Sequence, residues 1–416
     1  MRKANPKGWN TIRVIAIARA VSILGDELAI FALLLRVKHN GGGAFSVAMV
    51  LMAGQLPLIL LSPWAGTLAD RVPVRKLAPV VNLIQAALAA LLAFRQPFLI
   101  SLLLVCLLGI GQSVVPAAWN ATLPEITDKE EMPRAMSLMQ ALYAMAGMAG
   151  PAVAGVMVSK FGYSTPMIAN ALSFLFIAAV PLFLTLPFHP RERGERKRGD
   201  VWVGLQIVRK EPVIRALAIL GFSLNVSVGM ITVSELFFTL DDLHATTYVY
   251  GLAGSTFAAF TLIAALINKR RTVSEKELPL NIIVGAVVTG LGLVLNGASW
   301  HWLLLFPTLA IAGYGVSTVN AYYMALILQR SNESSRGRVL SAVTGVAVTG
   351  QISSLAIGGI VISIIDPRFV ILFSGAACLL VTGLLAPSLL AASRSSRIFQ
   401  MEPDTETIDF PVVETE

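Results

Sequence analysis

An all-α membrane protein of twelve transmembrane helices, arranged as two pseudo-symmetric six-helix bundles, is the fold class this sequence predicts. Three observations carry it. The chain is 56% apolar and only 13% charged, with a mean hydropathy of +0.74; a soluble globule of 416 residues needs far more polar surface to cover it. Twelve apolar stretches follow one another, each close to the ~20 residues that cross ~30 Å of hydrocarbon. A polar, basic interval separates the sixth from the seventh and divides the chain into equal halves.

The first span, 11–35, follows a short basic lead and carries Arg19, Asp26 and Glu27, unlike the uninterrupted apolar region of a cleavable signal peptide. Spans 44–69, 76–95, 97–124, 134–158 and 163–186 complete an N-terminal bundle over residues 1–186. Residues 187–212 read as a cytoplasmic basic linker, in which Val201, Leu205 and Val208 share one face of an interfacial helix. Spans 213–240, 246–268, 278–298, 302–328, 338–364 and 368–390 form a C-terminal bundle over 213–390. Residues 391–416 begin basic, end acidic and hold too little apolar content to fold alone, so they read as a disordered cytoplasmic tail.

Charge placement orients the chain. Of 32 Lys and Arg, five (Arg36, Lys38, Arg95, Lys160 and Arg368) fall on one side and Arg19 lies within a span, while the remainder gather on the other side. That richer side is cytoplasmic, with both termini on it. The net charge of +8 then faces the anionic leaflet and calls for no nucleic-acid partner. A weak internal repeat supports the two halves. At an offset of 204, Arg134 pairs with Arg338, Ser137 with Ser341, and Ala154-Gly155 with Gly358-Gly359, so small residues recur at one depth in the fifth and eleventh spans.

Residues 66–76, between the second and third spans, read GTLADRVPVRK. Insertion rules explain the cations, but not Gly66, Leu68 and Asp70 in register with them. The run resembles the signature loop of the major facilitator superfamily. The resemblance implies that family's fold and alternating access, with Gly66 permitting close helix approach and Asp70, Arg71, Arg75 and Lys76 latching the two bundles at the cytoplasmic face. In the fifth span, Ala146, Gly150, Pro151, Ala154 and Gly155 allow close backbone contact and bend the rod. They resemble the superfamily's antiporter signature, with Ala146 and Ala154 where glycines are expected, which implies export coupled to inward proton movement; generic small-residue packing accounts for the same residues. The opening helix ARAVSILGDELAIFALLL and the linker VGLQIVRKEPVIR resemble a bacterial efflux branch that includes macrolide and siderophore exporters. That resemblance implies a multi-pass protein of the bacterial plasma membrane, functional as a monomer.

Charges at membrane depth are costly and mark functional sites. Asp26, Glu27 and Glu235 are the proton-coupling candidates. Arg19 and Asp26 share nearly one face, ~10 Å apart along the axis, and pair only through side-chain reach or a neighbour. Asp26 reads either as a carboxylate that alternates between a proton and a cationic substrate or as half of a fixed ion pair. Glu235, deep in GMITVSELFFTL, a run that holds no cation, is the preferred carrier. The fourth span lacks the Arg that the superfamily's proton antiporters often place there and offers Gln112 and Asn120 instead. Arg19, Gln55, Gln112, Trp119, Asn120, Tyr143, Phe222, Asn225, Tyr314, Asn320 and Tyr322 are candidates to line a central cavity, and an apolar cavity with a few acids suits amphipathic or cationic cargo. No phosphate-binding Gly-x-x-x-x-Gly-Lys loop occurs, and the two Cys and four His show no metal-ligand spacing. The expectation is a secondary transporter rather than an enzyme, without cofactor or metal. It exports drug-, macrolide- or siderophore-type molecules by proton antiport. A lipid or lysolipid flippase of the same fold is the alternative, and a non-transporting receptor or scaffold a third reading.

Overall fold

The computed structural model describes residues 6–128, 130–184, 206–271, 273–331 and 336–394, apart from the side chains of residues 6, 7, 62, 63, 66, 70 and 392–394. Among the described residues twelve long helices run in chain order. The first six are α1 (Pro6–His39), α2 (Ala44–Arg71), α3 (Val74–Ala93), α4 (Phe98–Ile126), α5 (Met132–Phe161) and α6 (Ser164–Phe183). The second six are α7 (Pro212–Phe237), α8 (Thr247–Arg270), α9 (Leu278–Gly297), α10 (Leu305–Arg330), α11 (Arg336–Val361) and α12 (Pro367–Arg394). Eleven are long and apolar enough to cross a membrane on composition alone; α1 is the exception, because Arg19, Asp26 and Glu27 interrupt it. Burial of those three among other helices is what lets α1 join the bundle. Val201, Leu205 and the tail beyond 394 lie outside the described residues, while residues 206–210 are helical with Ile207 and Val208 buried.

Local chemistry sets the helix ends. The Glu211 carboxylate caps α7 by accepting from the Ile214 amide, and Pro212 occupies the first turn, where its missing N–H costs nothing. Thr246 caps α8. Gly162, at φ +82, closes α5 in a backbone conformation that L side chains rarely adopt. At the end of α1, Arg36 donates from Nη1 to the Leu92 and Phe94 carbonyl oxygens at 2.7 and 3.2 Å, satisfying groups that the end of α3 leaves open.

The same packing scheme is used twice. In the first half α1 lies against α5 and α6, α2 against α4, and α3 against α4 and α6; in the second, α7 lies against α11 and α12, α8 against α10, and α9 against α10 and α12. The halves then join crosswise, α5 to α8 and α2 to α11. Both joints rest on glycine at the positions the repeat aligned. A Cβ on Gly155 would sit 3.1 Å from the Thr247 carbonyl oxygen, and one on Gly359 would sit 2.6 Å from Ala48 Cβ.

These joints share one end of the molecule, the end holding the α1–α2 loop. An apolar cluster there draws Leu33 and Leu35 of α1, Val47 of α2, Leu236 of α7, Tyr250 of α8 and Ile362 after α11 into one core. Phe31 stacks on Tyr250 with ring centroids 4.8 Å apart, and Lys38 forms an ion pair with Asp241 at 2.6 Å. Toward the opposite end the same helices diverge. Gly147 of α5 and Gly345 of α11 face open space, and Met145 and Leu266 are more than half exposed.

Candidate functional site

Between the halves lies a cavity of about 200 Å³, walled by Phe31 and Pro151 from the first half and by Ile231, Glu235, Tyr250 and Phe257 from the second. Its lining is almost wholly apolar, with Glu235 as the acid among its lining residues. The α7 backbone changes character just past that acid. Phe238–Asp242 form a π turn, a form that occurs often at functional positions, and Lys38 caps the assembly from α1 by lying over the Phe237 ring at 4.8 Å.

The Glu235 carboxylate is held asymmetrically. Asn296 of α9 donates from Nδ2 to Oε2 at 2.7 Å, and Thr308 of α10 donates from Oγ1 to Asn296 Oδ1 at 3.0 Å. Asn296 is fully buried. Oε1 is buried and accepts no hydrogen bond of good geometry; the hydroxyl of Thr239, four residues further along and likewise unmatched, is a donor that approaches the carboxylate. A buried oxygen without a donor is costly, and in a cavity such an oxygen is a place for a proton, a water or a cargo group to bind.

Asp26 lies on α1 at the wall of a second cavity, about 350 Å³, shared with α2, α3, α4 and α6. Both of its oxygens are satisfied: Gln112 donates to Oδ2, and Asn170 donates to Oδ1 at 3.2 Å. The Ser173 hydroxyl stands between two acceptors, the Asn170 backbone carbonyl oxygen at 2.8 Å and Asn170 Oδ1 at 3.1 Å, and its one proton serves one of them at a time. Glu27 also lines this cavity and lays its Cβ against Gly150 of α5, where any side chain would collide with it. The α5 small-residue run therefore serves two neighbours, Glu27 on one face and α8 on the other. Pro151 removes a backbone donor, and the next residue, Ala152, donates its N–H to Ser255 Oγ of α8 at 2.9 Å.

Arg19 and Asp26 take separate partners. Arg19 is buried, donates to Asn120 Oδ1 at 3.4 Å, and sets its guanidinium over the Tyr143 ring at 5.1 Å from the centroid. The fixed Arg19–Asp26 pair considered from sequence is replaced by two separate polar contacts, because seven residues of helix hold the groups on different levels. Three aromatic cavity candidates are also reassigned. Trp119 is 2% exposed and packs among Ile15, Ala18 and Val115; Tyr322 is buried and donates to Asn268 Oδ1 of α8 at 3.3 Å. Phe222 faces an outer groove between α7, α11 and α12. The bulk of Trp119 and Tyr322 is used in helix packing, which an apolar span without polar markers does not disclose. Asn225 donates to its own helix at Gly221 O, and Gln55, Tyr314 and Asn320 are partly or fully exposed.

The loop between α2 and α3 lies at the diverging end. Arg71 closes α2, Arg75 and Lys76 open α3, and all three are exposed; the side chains of Gly66 and Asp70 lie outside those described. Asn170, Asn296, Thr308, Tyr250 and the Lys38–Asp241 pair were missed from sequence. Asn296 carried a signal, a lone amide within the apolar run LGLVLNG.

Comparisons with known proteins agree with this architecture. The family model described as Major Facilitator Superfamily matches residues 15–306. Macrolide efflux protein A of Streptococcus pyogenes is 22% identical over 354 residues, covering 81% of this chain and 84% of that protein. Multidrug efflux pump Tap of Mycobacterium tuberculosis is 25% identical over 374 residues, covering 83% and 85%. A crystal structure of a bacterial homologue of the human lysosomal transporter Spinster, inward-facing and occupied, superposes with a TM-score of 0.68 at 13% identity, covering 96% of this chain and all of that one.

Proposed function

Because the chain belongs to the major facilitator superfamily, we propose that this membrane transporter exports small amphipathic or cationic molecules by proton antiport, with Glu235 as the carboxylate that proton and cargo share. The observation that carries the reading is Glu235 itself: a buried acid on the wall of the cavity between the halves, with one oxygen tied and the other unmatched. A carboxylate in apolar surroundings must have a cation, a proton or hydrogen-bond donors. A lipophilic cation and a proton are two such partners, and only one fits at a time.

The charge distribution, with both termini cytoplasmic, puts the closed end outside and the diverging end inside. In this cytoplasm-open form, cargo enters between the halves and its positive end meets the ionised Glu235. Closure of the inner end, with Asp70 and Arg71, Arg75 and Lys76 latching the halves there, accompanies opening of the outer joints. A proton from outside then takes the place of the cargo. The neutral carboxyl returns inward, and the proton leaves to the cytoplasm, completing one exchange. Efflux-named relatives and an almost wholly apolar wall support cargo of this kind.

Sealed vesicles holding the purified protein and a pH-sensitive dye test the reading, with lipophilic cations, macrolides and siderophores as challenges. Cargo-triggered proton movement that is absent in Glu235→Gln supports it. Unchanged proton movement in Glu235→Gln removes Glu235 from coupling, and scrambling of a fluorescent lipid without any proton response replaces the reading with lipid transport.

A further inference from the structure

Glu235 does not sit in its cavity alone. The contacts run in one direction: the Thr308 hydroxyl donates to Asn296 Oδ1, and the Asn296 amide donates to Glu235 Oε2. The Thr308 hydroxyl has one proton to give, and the Leu304 and Leu305 carbonyl oxygens, at 2.8 and 3.1 Å, compete with Asn296 Oδ1 for it. Three helices, α7, α9 and α10, therefore converge on one carboxylate oxygen and leave its twin without a bond of good geometry, with the Thr239 hydroxyl of the π turn as a nearby donor.

We infer that Asn296 is a positioning residue: by occupying Oε2 with an N–H donor, it makes Oε2 the carbonyl oxygen of the protonated acid and reserves Oε1 as the atom that takes and gives up the proton. This assignment rests on the reading of Glu235 as the coupling group. The chemistry is that of any carboxyl. Its two oxygens are equivalent in water, and a donor fixed on one makes the other the better site for a proton, since an O–H placed on Oε2 would face the amide N–H. The ionised carboxylate keeps the amide from turning over, and Thr308 adds to this when its one proton lies on Asn296 Oδ1. If Asn296 flipped, its oxygen would face the carboxylate and its N–H₂ would face a hydroxyl.

The charged and titratable groups around the site leave this role to the amide. Described α9 residues within the span carry no titratable side chain; α10 offers Tyr314, Tyr322, Tyr323 and Arg330, α8 Tyr248, Tyr250, Lys269 and Arg270, and α1 Arg19, Asp26, Glu27 and Arg36. At the outer rim stand Lys38, Asp241, Asp242, Asp366 and Arg368, and α11 carries Arg336 and Arg338 at its far end. Tyr250 lines the same cavity, but Oε2 is held by Asn296.

Infrared difference spectra after a pH step, on the full chain in lipid nanodiscs, test this without any cargo. A protonated-carboxyl C=O band present in the native protein and lost in Glu235→Gln belongs to Glu235. In Asn296→Leu that band is expected at higher frequency, because its carbonyl oxygen has lost a donor. Thr308→Val should give a smaller shift in the same sense, and Thr308→Ser, which keeps the hydroxyl, none. A Glu235 band unmoved in both Asn296→Leu and Thr308→Val overturns the positioning role while leaving Glu235 as the coupling acid. Absence of any band sensitive to Glu235→Gln overturns the underlying reading and this one with it. Size-exclusion profiles identify a variant that fails to fold, and Thr308→Val decides if Asn296→Leu does.

Discussion

Asp26 in the first half and Glu235 in the second are both membrane-depth acids on the leading helix of their bundle, yet they are treated in opposite ways. Asp26 has an amide on each oxygen, and one of those amides has the Ser173 hydroxyl within reach. Glu235 has an amide on one oxygen and, near the other, only the Thr239 hydroxyl without a bond of good geometry. Their depths differ as well. Shifted by the 204-residue offset of the repeat, Asp26 falls on Met230, so Glu235 lies about a turn and a half closer to the closed end. Carboxylates alike in sequence terms divide into one committed to its neighbours and one kept available. The count of satisfied oxygens separates them, where burial does not.

The largest effect should come from Glu235→Gln, which removes the exchangeable charge while keeping shape: uphill transport in vesicles falls to background, with thermal stability close to that of the native chain. Asp26→Asn should give the reverse pattern. The new amide opposes one of the two amides that faced Asp26, and an unmatched buried pair of this kind costs about 1–3 kcal/mol. Melting temperature therefore drops while transport persists. If Asp26→Asn instead stops transport at native stability, the division between the acids is broken and both belong to the coupling machinery. Asn170→Ala sharpens the point at smaller scale, because Gln112 still serves Asp26 afterwards; about 1 kcal/mol of stability is expected to go, read as a melting shift smaller than that of Asp26→Asn. The smallest effect belongs to Lys38→Met. The pair with Asp241 is partly exposed, and such pairs contribute about 0.2–1 kcal/mol, so labelling of a cysteine introduced into the cavity between the halves, by an impermeant maleimide applied from the closed end, should rise no more than about fivefold. Restoration by the charge swap Lys38→Asp with Asp241→Lys checks that the pair is responsible.

The helix succession and the small residues used at the crosswise joints were legible in the sequence; which helices join there and the polar partners were not. Length and hydropathy are local properties, so α2 to α12 announce themselves, and even α1 is recognisable once its three charges are read as inward-facing. Small residues at Ala154-Gly155 and Gly358-Gly359 marked the joints because only such residues let backbones meet. Which way an acid turns within its bundle is another matter. A helix that is apolar on all sides gives no rotational phase, and the partners of Asp26 and Glu235 stand on other helices, 144 and 61 residues away for Asn170 and Asn296. For the same reason Trp119 and Tyr322, read as wall residues, turned out to be filler between helices.

The α5–α8 joint has a kinetic consequence. Where Gly155, Gly251 and Pro151 touch, backbone rides on backbone, so the two halves meet like the races of a plain bearing, with no long side chains to disengage before they roll. Friction in such a mechanism is concentrated at its rim. Here the rim carries the Phe31–Tyr250 stack and the Lys38–Asp241 pair, and the latter is screened by dissolved salt. The pace at which the halves part is thereby placed partly in the hands of the medium at the closed end, and the cavity wall is free to change without retuning the joint.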